Sequence, residues 1–170
     1  VDDHARSPGG NWVADTRSPV DTMRDRNTSD LWRVSWAGTE QRQITSTPES
    51  KSSPRWSPDG KWLSFLSSRH GGDGSQLWLL DPRGGEPDRV TAVPGGIDDY
   101  VWSPDSKRLV FVISDPEPPV PKNGTKRPIV IDRYHFKSDP SGYTLASHDH
   151  LALFDLATKK LERLTSGPFD

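Results

Sequence analysis

The sequence contains no cysteine. Disulfides, thiolate zinc sites and cysteine nucleophiles are therefore excluded. It has no apolar run approaching the roughly 18 residues that a membrane-spanning helix needs, so no membrane partner is expected. Charge of one sign is lacking too. Lys and Arg number 22 against 24 Asp and Glu, a net charge of −2. That balance offers no electrostatic footprint for nucleic acid. No basic segment followed by an apolar one opens the chain, so no signal peptide is expected within these residues. The first residue is not Met, which leaves room for an upstream segment. Apolar residues are scarce, at 31% of 170, which brings the composition near that of disordered chains. The small net charge and seven tryptophans argue against disorder, because a disordered chain has nothing large to bury.

Glycine (14) and proline (16) are plentiful and spread along the whole chain. That spread suits short strands joined by turns. The chain also repeats itself. Ser7-Pro8-Gly9-Gly10-Asn11-Trp12-Val13 recurs as Ser57-Pro58-Asp59-Gly60-Lys61-Trp62-Leu63 and as Ser103-Pro104-Asp105-Ser106-Lys107-Arg108-Leu109. A second motif follows each first one: Asp30-Leu31-Trp32-Arg33-Val34, Gln76-Leu77-Trp78-Leu79-Leu80 and His150-Leu151-Ala152-Leu153-Phe154. A third closes each unit: Gln43-Ile44-Thr45, Arg89-Val90-Thr91 and Arg163-Leu164-Thr165. In Ser-Pro-Asp-Gly, proline presets φ, Asp suits the third position and Gly the fourth, the pattern of a type I turn. Each unit thus reads as four short strands in 40 to 50 residues, the arithmetic of a β-propeller blade. A β-sandwich would explain strands and turns but not three copies of one ordered motif set. The expected fold is all-β: a propeller segment of about three four-stranded antiparallel blades. The units span about 1–46, 47–92 and 93–165, the third carrying an insertion at about 115–149. Trp56 and Trp102 are expected in first strands, and Leu63, Phe65, Leu109 and Phe111 between blades, since blades must stack to bury both faces.

Trp-Ser-Pro-Asp-Gly-Lys followed by an apolar strand resembles the blade signature of prolyl oligopeptidase-family propellers and of the periplasmic Tol-system propeller. Other details narrow the likeness: Thr28-Ser29-Asp30-Leu31-Trp32, Leu66-Ser67-Ser68-Arg69, and the insertion with Asp115-Pro116-Glu117-Pro118-Pro119, Ile131 to Lys137 and Gly142-Tyr143. With Asp155-Leu156-Ala157-Thr158 and the closing Leu164 to Asp170, they resemble the first blades of an acylaminoacyl-peptidase or dipeptidyl-aminopeptidase type serine peptidase. The first unit departs from the pattern: Arg6 replaces the tryptophan before Ser-Pro, Gly9 replaces Asp, and Ala14-Asp15 brings a charge into an apolar strand. That marks it as a seam blade or a frayed end. The resemblance implies a propeller that gates and docks peptide or acyl-peptide substrates for a separate α/β-hydrolase domain absent from this chain. The runner-up is a non-catalytic binding propeller of the Tol kind.

No Gly-x-Ser-x-Gly elbow occurs, so no catalytic residue is assigned and the chain is expected to be inactive alone. No cofactor is expected. His70-Gly71-Gly72 has the look of an oxyanion loop but reads as a plain connection between a blade's second and third strands. His148-Asp149-His150 spaces two imidazoles on one strand face. With no third ligand it reads as a polar strand start, and no metal is assigned. Asn123-Gly124-Thr125 is a glycosylation sequon that matters only in a eukaryotic secretory setting. Residues 115–128 hold five prolines and read as an extended loop. Arg133 and Tyr134 are the candidates for substrate contact, because insertions in repeat arrays fall on one face, often the binding face. The plainer reading pairs Asp132 with Arg133 to pin the insertion to its own blade. The partners expected are a peptide substrate, the hydrolase domain, and further copies of the chain, because three units leave two bare end faces. Those faces are expected to show Trp12 and Val13 at one end and Leu151, Leu153 and Phe154 at the other. A cytoplasmic location is expected, with periplasm or secretion left open.

Overall fold

The computed structural model describes residues 3–18, 20–21, 26–27, 29–68, 74–115, 137–138, 142–143 and 148–167. Among these residues every regular element is a strand. The first sheet joins β1 (His4–Arg6), β2 (Trp12–Arg17), β5 (Asp30–Ser35) and β6 (Gln41–Gln43); the ribbon β3 (Val20–Asp21) and β4 (Arg26–Asn27) lies between β2 and β5 in the chain. The second joins β7 (Lys51–Trp56), β8 (Leu63–Ser67), β9 (Gln76–Leu80) and β10 (Asp88–Arg89). The third joins β11 (Asp99–Trp102), β12 (Arg108–Ser114), β15 (Asp149–Asp155) and β16 (Lys160–Arg163), with the ribbon β13 (Lys137–Ser138) and β14 (Gly142–Tyr143) between its second and third strands. All pairings are antiparallel, in sequence order within each blade.

The recurring motifs have local causes. In the second blade Gly60 N–H donates to Ser57 O (2.8 Å) and Trp62 N–H donates to Ser57 Oγ (2.9 Å). Ser57 Oγ donates to Asp59 Oδ1 (2.7 Å), which also accepts from Lys61 N–H (3.1 Å). The third blade repeats this with Ser103, Asp105, Lys107 and Arg108. The fourth turn residue takes a left-handed φ: 73° at Gly10, 71° at Gly60, 59° at Ser106. Glycine suits that position because it has no Cβ to clash. The closing threonine is equally fixed. Thr45, Thr91 and Thr165 each accept, through Oγ1, the backbone N–H that opens the third strand at Leu31, Leu77 and Leu151, at 2.9 Å every time. Two residues earlier Gln43, Arg89 and Arg163 donate to the same threonine's carbonyl. One side chain thus ties the outer strand to its neighbour in every blade.

The first strands β1, β7 and β11 lie side by side. Trp56 Nε1 donates to Ala5 O (3.1 Å), and Arg55 reaches Tyr100 O and Asp99 Oδ1 (2.9 Å). The fourth strands face solvent on the rim. Strands alternate sides with period two, so each blade has a front, facing the next blade, and a back. Ser64, Leu66, Leu77 and Leu79 on the second blade's front meet Tyr100, Trp102, Leu109, Phe111 and Phe154 of the third. On the back of the second blade, Phe65, Trp78 and Leu80 meet Leu31 of the first. Every residue of β8 and β9 is accordingly buried. Leu63, Phe65, Leu109 and Phe111 are at most 2% exposed.

Two expectations for the end faces need correction. Phe154 is buried and stacks on Phe111 (5.3 Å between centroids), because it alternates with Leu151 and Leu153 and points back toward the second blade. Trp12 likewise turns away from the bare end: the Arg33 guanidinium stacks 4.1 Å from its ring centre, and Arg33 Nη1 donates to Pro82 O of the second blade.

Candidate functional site

Antiparallel order sends the second-to-third-strand connections of all three blades out of one end. The short Ser-Pro turns and the third-to-fourth-strand turns occupy the other. The long insertion therefore leaves from the same end as residues 18–29 and 68–75, and this loop end is the candidate functional face. Arg133 and Tyr134 lie outside the described residues, as do His70-Gly71-Gly72 and Asn123-Gly124-Thr125.

The inner strands supply a polar lining at this end. Ser53 sits in a bulge of β7 at φ 51°. Its N–H donates to Asp3 Oδ2 of the first blade (3.0 Å), and its carbonyl accepts from Tyr100 Oη of the third (2.7 Å). Tyr100 Oη also lies 2.9 Å from Ser64 Oγ, and burial pushes its phenol well above the usual range. Arg55 bridges Asp99 and the Tyr100 carbonyl and stacks 5.0 Å from the Tyr100 ring centre. Bulges commonly re-aim side chains beside functional sites.

A second cluster stands where the insertion leaves the third blade. Asp115 accepts from Arg163 Nη2 (2.8 Å) and lies 3.2 Å from His150 Nε2. The Arg163 guanidinium is the main reason its carboxyl is held below the usual range. His150 is 3% exposed. Ser114 Oγ lies 2.7 Å from Asp98 Oδ2 and 2.8 Å from Asp149 Oδ1, one hydroxyl between two carboxylates. Asp149 is exposed and His150 buried, so Asp115 engages the histidine from inside the blade. Among the described residues no group of three or more metal-ligating side chains comes together.

The linkers between blades hold a residue that the sequence reasoning passed over. Lys51 is only 2% exposed, with Nζ on Asp30 Oδ1 (3.0 Å) and on Thr47 O. Asp30 also accepts from Gln43 and Thr45. In the next blade Gln76 takes the place of Asp30, binding Thr91 Oγ1, Val93 N–H and Val93 O. Ile97 takes the place of Lys51, each donating its N–H to a serine carbonyl 22 residues earlier, Ser75 and Ser29. The repeat offset relates the two pairs, but nothing in the sequence shows a lysine to be buried.

No family model matches the chain. Over 79 residues, 42% of this chain, it is 34% identical to the uncharacterized peptidase YuxL of Bacillus subtilis, spanning 11% of that protein. Among solved structures it superposes on Pyrococcus horikoshii acylaminoacyl peptidase with a TM-score of 0.75 at 19% identity, over 98% of this chain and 25% of that one. It superposes on TolB of Acinetobacter baumannii with a TM-score of 0.65 at 20% identity, over 98% of this chain and 33% of that one. A third match is the β-propeller domain of the Trilobed protease of Pyrococcus furiosus, with a TM-score of 0.61 at 17% identity, over 98% and 42% of the two chains. The fold is that of a β-propeller. The three blades are similar to propeller regions of peptidases, and the chain spans well under half of each protein it matches.

Proposed function

We propose that these blades belong to the propeller of a serine peptidase of the prolyl oligopeptidase family, of the acylaminoacyl-peptidase or dipeptidyl-aminopeptidase type. In that role the propeller is a filter and docking platform. It admits peptides and excludes folded proteins by aperture, while an α/β-hydrolase domain supplies the nucleophile. The observation that carries the reading is the gathering of all three second-to-third-strand connections, the insertion included, at one end beside the Asp3, Arg55 and Asp99 lining. The identity to a peptidase over 79 residues supports it. Arg133 and Tyr134 would then meet substrate, and the working compartment would be the cytoplasm.

The test is the longer reading frame. Its product should carry Gly-x-Ser-x-Gly, cleave short acyl-peptides and leave folded proteins intact. Arg133→Ala and Tyr134→Ala should raise KM more than they lower kcat, whereas the 170 residues alone should neither cleave nor react with a fluorophosphonate. A longer frame without a nucleophile elbow, or one indifferent to substrate size, defeats the reading. The likeness to TolB favours a second one, a binding propeller without chemistry. Peptide binding by the longer product without turnover would select it.

A further inference from the structure

We propose that two copies of this chain stack head to tail into a six-bladed ring, each third-blade front closing on the other copy's first-blade back. Both interfaces within the chain join a front to a back. One front and one back are left over. The free front carries Val101, Val110, Val112, Leu151 and Leu153. The register sets Val101, Val110 and Leu153 in one row across three strands and Val112 and Leu151 in the next. Val101 is 53% and Leu151 42% exposed. Their counterparts on the second blade, Leu66, Leu77 and Leu79, are buried against the third blade. A surface of this kind is seldom left bare on a monomer.

What fits a blade front is a blade back, and the unused one is on the first blade: Val13, Trp32 and Val34, with Asp15 and Arg17 among them. Arg17 stacks 4.8 Å from the Trp32 ring centre and bonds Asp15 Oδ2 (3.0 Å). Blades in a ring share one direction, so loop ends adjoin. That sets Arg17, at the loop end of β2, against Asp98 and Asp149, which share the Ser114 hydroxyl at the loop end of the opposing face. Charge thus selects the same register as the apolar rows. Front-to-back contacts are heterologous and end only if the rotation closes. Two copies give six blades, within the four to eight at which propellers close, while three copies would give nine.

Sedimentation velocity and light scattering on the 170-residue chain at tens of micromolar test this. The expected mass is twice 19.0 kDa. Val101→Glu and Leu151→Glu alter exposed positions, so the blades should keep their far-ultraviolet spectrum while dimerisation weakens at least tenfold. Arg17→Glu alone and Asp149→Arg alone should each weaken it, and the two together should restore it. A wild-type monomer at that concentration, an open series of higher masses, or a dimer indifferent to Val101→Glu overturns the proposal. These readouts are independent of peptidase activity.

Discussion

The two blade interfaces are built from different materials. Between the second and third blades lie ten buried apolar side chains, with Tyr100 Oη and Trp102 Nε1 both on Ser64 Oγ. Between the first and second, only Leu31, Phe65, Trp78 and Leu80 form the buried apolar cluster. Polar pins do much of the rest: Lys51 on Asp30, and Arg33 held between Trp12 and Pro82 O. Ala14 stands where the second blade has Ser64, so Trp56 Nε1 turns to the Ala5 carbonyl instead. Apolar burial acts wherever water is excluded, whereas a pinned interface depends on each partner keeping its place. The first blade should therefore be the first to loosen.

The largest expected effect is on the apolar side. Phe111→Ala removes a fully buried ring stacked on Phe154 and should cost about 3–5 kcal/mol. Urea unfolding followed by tryptophan fluorescence measures it, and a loss under about 1 kcal/mol would show that this interface does not hold the array together. Next comes the pinned side. Lys51→Met leaves the Asp30 carboxylate with Gln43, Thr45 and some water, as its side chain is 18% exposed. The cost should be about 2–3 kcal/mol, below that of breaking a wholly buried pair. Hydrogen exchange should show it in β1, β2 and β5 before the third blade; uniform loss across all blades would contradict the contrast.

Ser64→Ala takes one oxygen from two buried donors, Tyr100 and Trp102, and should cost about 1–3 kcal/mol. The same readout applies, and a neutral result would mean that the third blade's inner strand needs no hydroxyl anchor. The smallest effect carries the opposite sign. Gly9→Asp has open space around its Cβ and would give the first blade the turn carboxylate of the other two. A gain of about 0.5–1.5 kcal/mol is expected. The Ser57 hydroxyl and Lys61 amide hold Asp59 below the usual carboxylate range, and Ser103 and Lys107 do the same for Asp105. Such bonds contribute fully above about pH 4 and fade as pH falls through the folded-state values. Thermal unfolding of Gly9→Asp and wild type should therefore differ at pH 7 and converge on acidification. A gain independent of pH would assign it to lost glycine flexibility instead.

Much of this architecture is legible in the sequence because each repeated motif is a hydrogen-bonded device. Ser-Pro-Asp-Gly closes a turn, and the closing threonine caps a neighbouring strand, so residue identity and geometry cannot drift apart. The departures at Arg6, Gly9 and Asp15 also mark the blade whose back has no neighbour in the chain. What escapes the pattern is the direction of single side chains. Phe154 and Leu153 are adjacent in sequence yet face opposite ways, and Trp12 follows Arg33 rather than the strand's bare side. Lys51 escapes because a buried lysine shows itself only when its carboxylate, 21 residues away, is seen beside it. The substrate-contact assignments rest on resemblance and on the placement of the insertion, and Arg133 and Tyr134 carry no repeat that would fix their positions.

Ser53 gives the chain a timetable. Its amide reaches back to Asp3, but its carbonyl waits for a phenol 47 residues further on. At a synthesis rate of about 5–20 residues per second, that wait lasts roughly 2 to 10 seconds on the ribosome. Until Tyr100 arrives, Leu66, Leu77 and Leu79 have no third blade to meet. The middle blade is thus the last to become safe although it is neither first nor last to be made. A slow codon stretch just after its coding segment would lengthen its exposure to chaperones and to other nascent chains.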